Sequence, residues 1–303
     1  MSEALLLAVC VALDWIVGDP PAWPHPVRAV GALAARLEPW AQRSPLARGA
    51  LVTVVVAAGA ALGAHALISL PWVGKAFALY LGFAGLALGS LVREARRVRR
   101  ALACGDVDTA RRLLAFLVSR ETAHLDEAGV ARGLAETLAE NTTDGFVAPL
   151  FWLTVGGVPG LWAYKAVSTL DSMWGYRTPR FERLGKCAAR MDDLAAYLPA
   201  RLTAWAMAGV AWIWGRRISL WSVARQARAL ESPNAGWPMA AAAAAIGAGM
   251  GGEDRYAGQV KRKPRLGPAG VPWTVERLEE LERLVVAASF GCAATAVVWK
   301  LVV

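Results

Sequence analysis

From Gly49 to Leu70 the chain reads GALVTVVVAAGAALGAHALISL, an apolar run without a formal charge. At about 1.5 Å per helical residue it reaches across a hydrocarbon core roughly 30 Å thick, so the pattern predicts a membrane-spanning helix. Pro71 stops it, and Trp72 to Val92 resumes apolar with one early Lys75, so the two read as a tight transmembrane hairpin. Leu284 to Val303 is a third span. Ser2 to Val17 is apolar too, but Glu3 stands where a secretory signal carries Arg or Lys, and Asp14 lies inside the run. It reads as an uncleaved helix.

Residues 93–147 hold amphipathic stretches of ordinary helix length, punctuated by Gly105-Asp106 and Gly129. Ala148 to Ala166 is apolar, yet Gly156-Gly157-Val158-Pro159-Gly160 interrupts it too sharply for a regular membrane helix. It either re-enters the membrane or is buried by its neighbours. Residues 200–214 and 238–251 are further apolar segments, the second about half a span and rich in the Ala and Gly that let helices pack closely. No β-type alternation is sustained, and there is no internal repeat. The expected fold is all-α: a polytopic integral membrane helical bundle of four or five spans over residues 1–303. Within it, 93–147 is a cytoplasmic helical insertion, 165–201 a motif region at the cytoplasmic face, and some helices are re-entrant or broken.

Composition agrees with the pattern. The 303 residues are 56% hydrophobic and 19% charged, with a mean hydropathy of +0.38, outside the range of ordinary soluble domains. The formal charge of +9 does not point to nucleic acid, because the cations flank apolar spans and are not interleaved with aromatics along one soluble face. Basic residues instead orient the spans. REARRVRR at 93–100 is the strongest anchor; Arg28, Arg36, Arg43 and Arg48 mark a second inner loop, and the sparse 71–75 turn points outward. Re-entry of 148–166 keeps Arg177, Arg180, Arg183, Lys186 and Arg190 inside, and the N-terminus is expected outside. The four cysteines stand alone, as inert thiols do, and no P-loop, GxSxG, HExxH or CxxC motif occurs.

Five clusters carry candidate chemistry. Asp14 to Pro20 followed by Pro24-His25-Pro26-Val27-Arg28 brings acids, a histidine and an arginine out of the membrane together. Asp14, one turn inside an apolar helix, is either paired or reaches the interface. Glu140-Asn141-Thr142-Thr143-Asp144-Gly145 ends a helix on which Arg132, Glu136 and Glu140 share a face at i, i+4. Its oxygens suit Mg²⁺, or Asn141 and Asp144 cap the helix. Tyr164 to Met173 places Lys165, Thr169 and Asp171 just after the broken segment. From Lys186 to Arg201, helical spacing puts Lys186, Arg190, Asp193 and Tyr197 on a narrow arc, with Asp192 pointing elsewhere; a solvated face is the plain alternative. The fifth runs from Ser232 through Asn234 to Pro238, with Gly249, Gly251 and Gly252 beyond, where glycine turns can cradle phosphate.

Together these motifs resemble the CobD/CbiB family: GDP…PHPVR, AENTTDG, YKAVSTLDSMWGYR, ARMDDLAAYLPARLTA and SPNAGWPMAAAAAAIG come in that family's order over nearly the whole chain. Ser168, Ala196 and Met239 depart from the family's usual Asn, Asn and Glu, so these three are not carried as candidates. The resemblance implies a cobalamin-biosynthesis ligase of the inner membrane. It would join adenosylcobyric acid to aminopropanol or its phosphate, using ATP and Mg²⁺, to give adenosylcobinamide or its phosphate. Its partners would be that corrinoid, the amine, membrane lipids and later cobalamin-assembly enzymes, with no nucleic acid. The competing class is an AmpE-like membrane regulator without ligase activity; a transporter would show inverted repeats, which are absent.

A carboxylate and an amine condense in water only after the acid is activated, which asks for acids to hold metal and cations to hold phosphate. Asp19, His25, Glu140, Asp144 and Asp171 are the expected catalytic set, with Glu140, Asp144 and Asp171 as metal ligands. Arg28, Asn141, Thr142, Lys165, Thr169, Arg190, Asp192, Asp193, Arg201 and Asn234 are the expected substrate and nucleotide binders. His25 or a carboxylate would deprotonate the attacking ammonium. Trp15, Trp23, Trp174 and Trp237 either line a groove for the broad corrin plate or join the interfacial belts.

Overall fold

The computed structural model describes residues 2–20, 23–256 and 258–303. Its elements in order are α1 (Glu3–Ile16), α2 (Pro26–Ala41), α3 (Pro45–Ile68), α4 (Gly74–Ala84), α5 (Leu88–Ala103), α6 (Val107–Ala115), α7 (Glu127–Thr142), a π-helical turn (Thr143–Val147) and α8 (Ala148–Trp174). Then come α9 (Lys186–Ala195), α10 (Tyr197–Ile213), α11 (Leu220–Ala227), α12 (Gly236–Ile246), strands β1 (Met250–Tyr256) and β2 (Gln259–Leu266), and α13 (Val275–Val302). They form two compact units, one of Met1–Ala87, Ala148–Ala196 and Ala293–Val303, the other of Leu88–Val147 and Tyr197–Cys292.

Four helical stretches are long and apolar enough to cross a membrane: Pro45–Ile68, Gly74–Ala103, Glu127–Trp174 and Val275–Val302. The protein is an all-α polytopic membrane protein. On α3, Leu51, Val54, Val55 and Leu62 are all more than half exposed, the face a lipid chain covers at no cost. Pro45 at the first helical position and Pro71 just past the end set its limits. The second span differs from the continuous Trp72–Val92 helix that the pattern predicts. It breaks at residues 85–87 between α4 and α5, where Leu86 is fully buried.

In the first unit, α3 packs along α8, and α2 and α9 close the same core. Val52, Val56 and Ala57 of α3 meet Ala166, Val167, Leu170 and Trp174 of α8 and Ala188 of α9. The expected interruption of α8 is present: Gly157, at φ 60° and ψ −162°, breaks the helix two residues before Pro159. Only glycine takes that backbone without strain. α8 thus has two limbs, and the second carries the Lys165 to Asp171 motif into the core against α9.

In the second unit, α5 buries Leu88, Val92, Ala95, Val98 and Leu102, a stripe at three- and four-residue spacing, and packs against α6 and α7. α12, six of whose eleven residues are alanine, is buried against α10 and α11, and Gly247 ends it in the left-handed conformation. The antiparallel hairpin β1–β2 lies where no strand is expected. Gly251 and Gly252 sit at φ 82° and 103°, which excludes a helix, and opposite charges face each other across the ladder, Glu253 with Arg262 and Asp254 with Lys261. That register is visible only once the two strands are paired.

Candidate functional site

The first unit gathers Lys165, Ser168, Thr169 and Asp171 from α8 with Asp192 and Asp193 from α9. Thr169 spends its hydroxyl on the Lys165 carbonyl at 2.6 Å. Burial pushes the Asp192 carboxyl up to about 7, and the Asp171 and Asp193 carboxylates push it the same way. The Ser168 hydroxyl, which donates to it, and the Lys165 charge oppose that rise. One Asp192 oxygen is buried without a hydrogen-bond partner among the described residues. Burial also raises Asp193, against the pull of Arg177.

The arc drawn from helical spacing falls on the solvated face of α9. Lys186 and Arg190 on that arc are exposed, and Asp192, expected to point elsewhere, is the residue turned toward α8. Ser168, set aside as a departure, holds it. Gly175 closes α8 with its amide on the Asp171 carbonyl at 2.6 Å, and a β-carbon there would strike the Asp171 carboxylate.

The N-terminal motif of the same unit is a capped helix start. His25 Nδ1 accepts from the Val27 amide at 3.3 Å while Nε2 faces Asp19 Oδ1 at 3.4 Å, so both ring nitrogens are engaged. A His25 held this way caps α2 and faces Asp19. Arg28 is exposed, and Asp14 is fully buried, not at an interface. Trp174 is fully buried in the core and lines no groove, whereas Trp23 is exposed.

In the second unit AENTTDG spans the end of α7 and the π-helical turn that follows it, a distortion that often marks functional sites. Asn141 donates to Thr137 at 2.8 Å, Thr142 turns its hydroxyl back to the Leu138 carbonyl at 2.7 Å, and Thr143 donates to Thr203 at 3.0 Å. Asn141 and Thr142 therefore brace the turn. Glu136 and Glu140 face a buried ionic network the sequence did not disclose. Arg120 pairs with Glu136, and with Asp254 at 2.7 Å; Arg132 reaches Asp254 at 3.2 Å and Lys263 reaches it at 3.6 Å. Lys263 also acts on Glu140. Only the Arg132–Glu136 spacing, now 3.9 Å apart, was a local signal; Arg120 and Asp254 are 134 positions apart.

Arg201 and Asn234, both expected binders, meet each other. Arg201 lies between the Tyr197 ring at 3.5 Å and the Trp237 ring at 4.7 Å. It donates to Asn234 Oδ1 and the Tyr197 carbonyl, each at 2.8 Å, and to the Pro233 carbonyl at 3.1 Å.

Glu140 and Asp144 belong to the second unit and Asp171 to the first. Among the described residues no three His, Cys, Asp or Glu side chains converge to hold a metal by themselves. Mg²⁺ asks for less, since it keeps several waters and takes one or two carboxylates besides phosphate oxygens. Asp171 is such a carboxylate, and its charge raises the cost of ionising Asp192 beside it.

The CobD/Cbib family model matches residues 7–285. The chain is 40% identical over 301 residues to cobalamin biosynthesis protein CbiB of Salmonella paratyphi B, covering 94% of both chains. It is 44% identical over 280 residues to cobalamin biosynthesis protein CobD of Geobacter metallireducens, covering 88% of this chain and 87% of that one. No solved structure matches. A family model spanning almost the entire sequence, with relatives aligned nearly end to end, places this chain in the CobD/CbiB family and its role in cobalamin biosynthesis.

Proposed function

We propose that the protein is an ATP-dependent amide ligase, joining adenosylcobyric acid to aminopropanol or its phosphate at the cytoplasmic face of the inner membrane. The observation that carries this reading is the α8–α9 constellation: a lysine, a hydroxyl and three carboxylates, with Asp192 held near neutrality. A carboxylate oxygen of the substrate acid attacks a phosphorus of ATP, forming a C–O–P bond as the P–O bond to the departing ADP or pyrophosphate breaks. The amine then attacks the acyl carbon, the C–N bond forms, and the C–O bond to the phosphate-bearing leaving group breaks. The amine arrives as an ammonium and must lose a proton. A carboxylate titrating near 7 is half ionised at neutral pH and is a stronger base than an ordinary aspartate. Asp192 is assigned that proton.

Lys165 would hold the carboxylate or the transferring phosphoryl group by charge. Mg²⁺, when bound, would offset phosphate charge during transfer, with Asp171 as its first protein ligand. Thr169 and Ser168 keep Lys165 and Asp192 in place, and Glu140, Asp144 and the Arg201–Asn234 pair shape substrate contacts in the second unit. The test is to incubate purified, detergent-solubilised protein with ATP, Mg²⁺, adenosylcobyric acid and either amine, and to look for the coupled corrinoid by mass. Folded protein that yields no product and consumes no nucleotide would overturn the reading.

A further inference from the structure

The second unit contains an open cleft of about 820 Å³, walled by residues 124–132 at the start of α7 and by residues 249–273 on and after the hairpin. That volume is in the range of small-molecule sites. Of its cations only Arg132 belongs to one of the five clusters, and it is spent on Asp254.

The hairpin carries five cations: Arg255, Lys261, Arg262, Lys263 and Arg265. Three are spent, Lys261 on Glu231 at 2.8 Å, Arg262 on Glu253 at 2.7 Å and Lys263 on Asp254 at 3.6 Å. Arg255 and Arg265, the two that line the cleft, have no ion-pair partner among the described residues. Alternation along β1 explains Arg255: Asp254 turns into the buried network, so the next side chain leaves by the other face. Its backbone is pinned, because the Arg255 carbonyl accepts from the Glu121 amide at 2.9 Å. His124, on the segment so tied, lines the same cleft.

The acids on the wall do not cancel this charge. Glu253 is paired with Arg262, Asp254 is shared by Arg120, Arg132 and Lys263, and Asp126, which caps α7 through the Gly129 amide and keeps its charge, stands as one acid against the two arginines. Two guanidiniums on a fixed hairpin, facing an open cleft where one acid opposes them, match an extended multiply charged anion. We propose that this cleft binds the polyphosphate chain of a nucleoside triphosphate through Arg255 and Arg265, with His124 beside them. The naming of a nucleotide rests on the ligase reading; the anion site itself rests on the cleft.

The experiment measures binding of radiolabelled ATP to the full chain in detergent, with Arg255→Gln/Arg265→Gln and, as a control of equal charge type, Lys261→Gln. Circular dichroism and gel filtration verify folding. The double variant is expected to weaken ATP binding roughly tenfold or more, since each lost charged hydrogen bond is worth about that factor. Lys261→Gln is expected to leave it unchanged. Inorganic tripolyphosphate should compete, and aminopropanol phosphate and anionic lipid should not. Unchanged ATP affinity in the folded double variant, or stronger competition by aminopropanol phosphate or lipid, overturns the proposal. Amide formation with an unaltered KM for ATP in the double variant sinks the cleft and spares the ligase; ATP binding lost in that variant, from a wild type that makes no amide, does the reverse.

Discussion

A carboxylate with an ordinary pKa is a poor base toward an ammonium, so the side chain that matters most is the one moved furthest toward neutrality. Asp192 is that residue outside the spans, raised to about 7 by burial and by Asp171 and Asp193. Asp192→Asn is expected to lower kcat roughly a hundredfold or more while leaving the KM for ATP nearly unchanged, read in steady-state coupling assays. The wild-type rate should rise as pH passes through about 7, and that limb should vanish in the variant. Stability carries the opposite sign. The folded pKa lies above the ordinary aspartate value, so the native state holds the extra proton between about 4 and 7. This contribution is complete below about 4 and is lost as pH climbs through 7. Asp192→Asn should therefore raise the melting temperature at pH 8 relative to wild type and change it little at pH 5. The motif was legible in the sequence; which of two adjacent aspartates turns inward was not, since a rotation of 100° separates them and packing against α8 decides it.

At the scale of elements, two features hold the second unit and the broken helix in place. Arg120 has a side chain 6% exposed between Glu136 at 1% and Asp254 at 0%. Arg120→Met leaves two buried carboxylates short of a partner and is expected to cost about 3–5 kcal/mol, measured by denaturation in detergent. Adding Glu136→Gln and Asp254→Asn should recover much of that loss, because the uncompensated charges go with them. Gly157→Ala forces a β-carbon onto φ 60° and should cost on the order of 1–3 kcal/mol. The break in α8 was readable from its own Gly and Pro residues. The hairpin was not, because its stability comes from cross-strand charge pairs and from α7, none of them local to the strand sequence.

For the whole molecule, the distribution of basic residues leads to the expectation that residues 93–147 face the cytoplasm. Cys104, between α5 and α6, is the exposed free cysteine, while Cys10 is buried. A membrane-impermeant maleimide is expected to label Cys104 in inverted vesicles and not in intact cells, detected by mass shift; labelling in intact cells would reverse the orientation. The two units are each built from segments far apart in the chain.

Hydropathy determined that this protein lives in a membrane and where its main spans lie, and the Gly and Pro residues of α8 determined that it breaks, because those properties depend on residues within a turn or two of each other. The five motifs, in order, determined the family. Tertiary structure alone decided that His25 caps α2, that Asp192 faces Asp171, and that Arg120, Asp254 and Lys263 complete a network with Glu136. It also decided that two of the hairpin's five cations are left over at a cleft. Each of these depends on a partner held by another element, and burial and pairing between such partners leave no period or spacing in the sequence from which to read them.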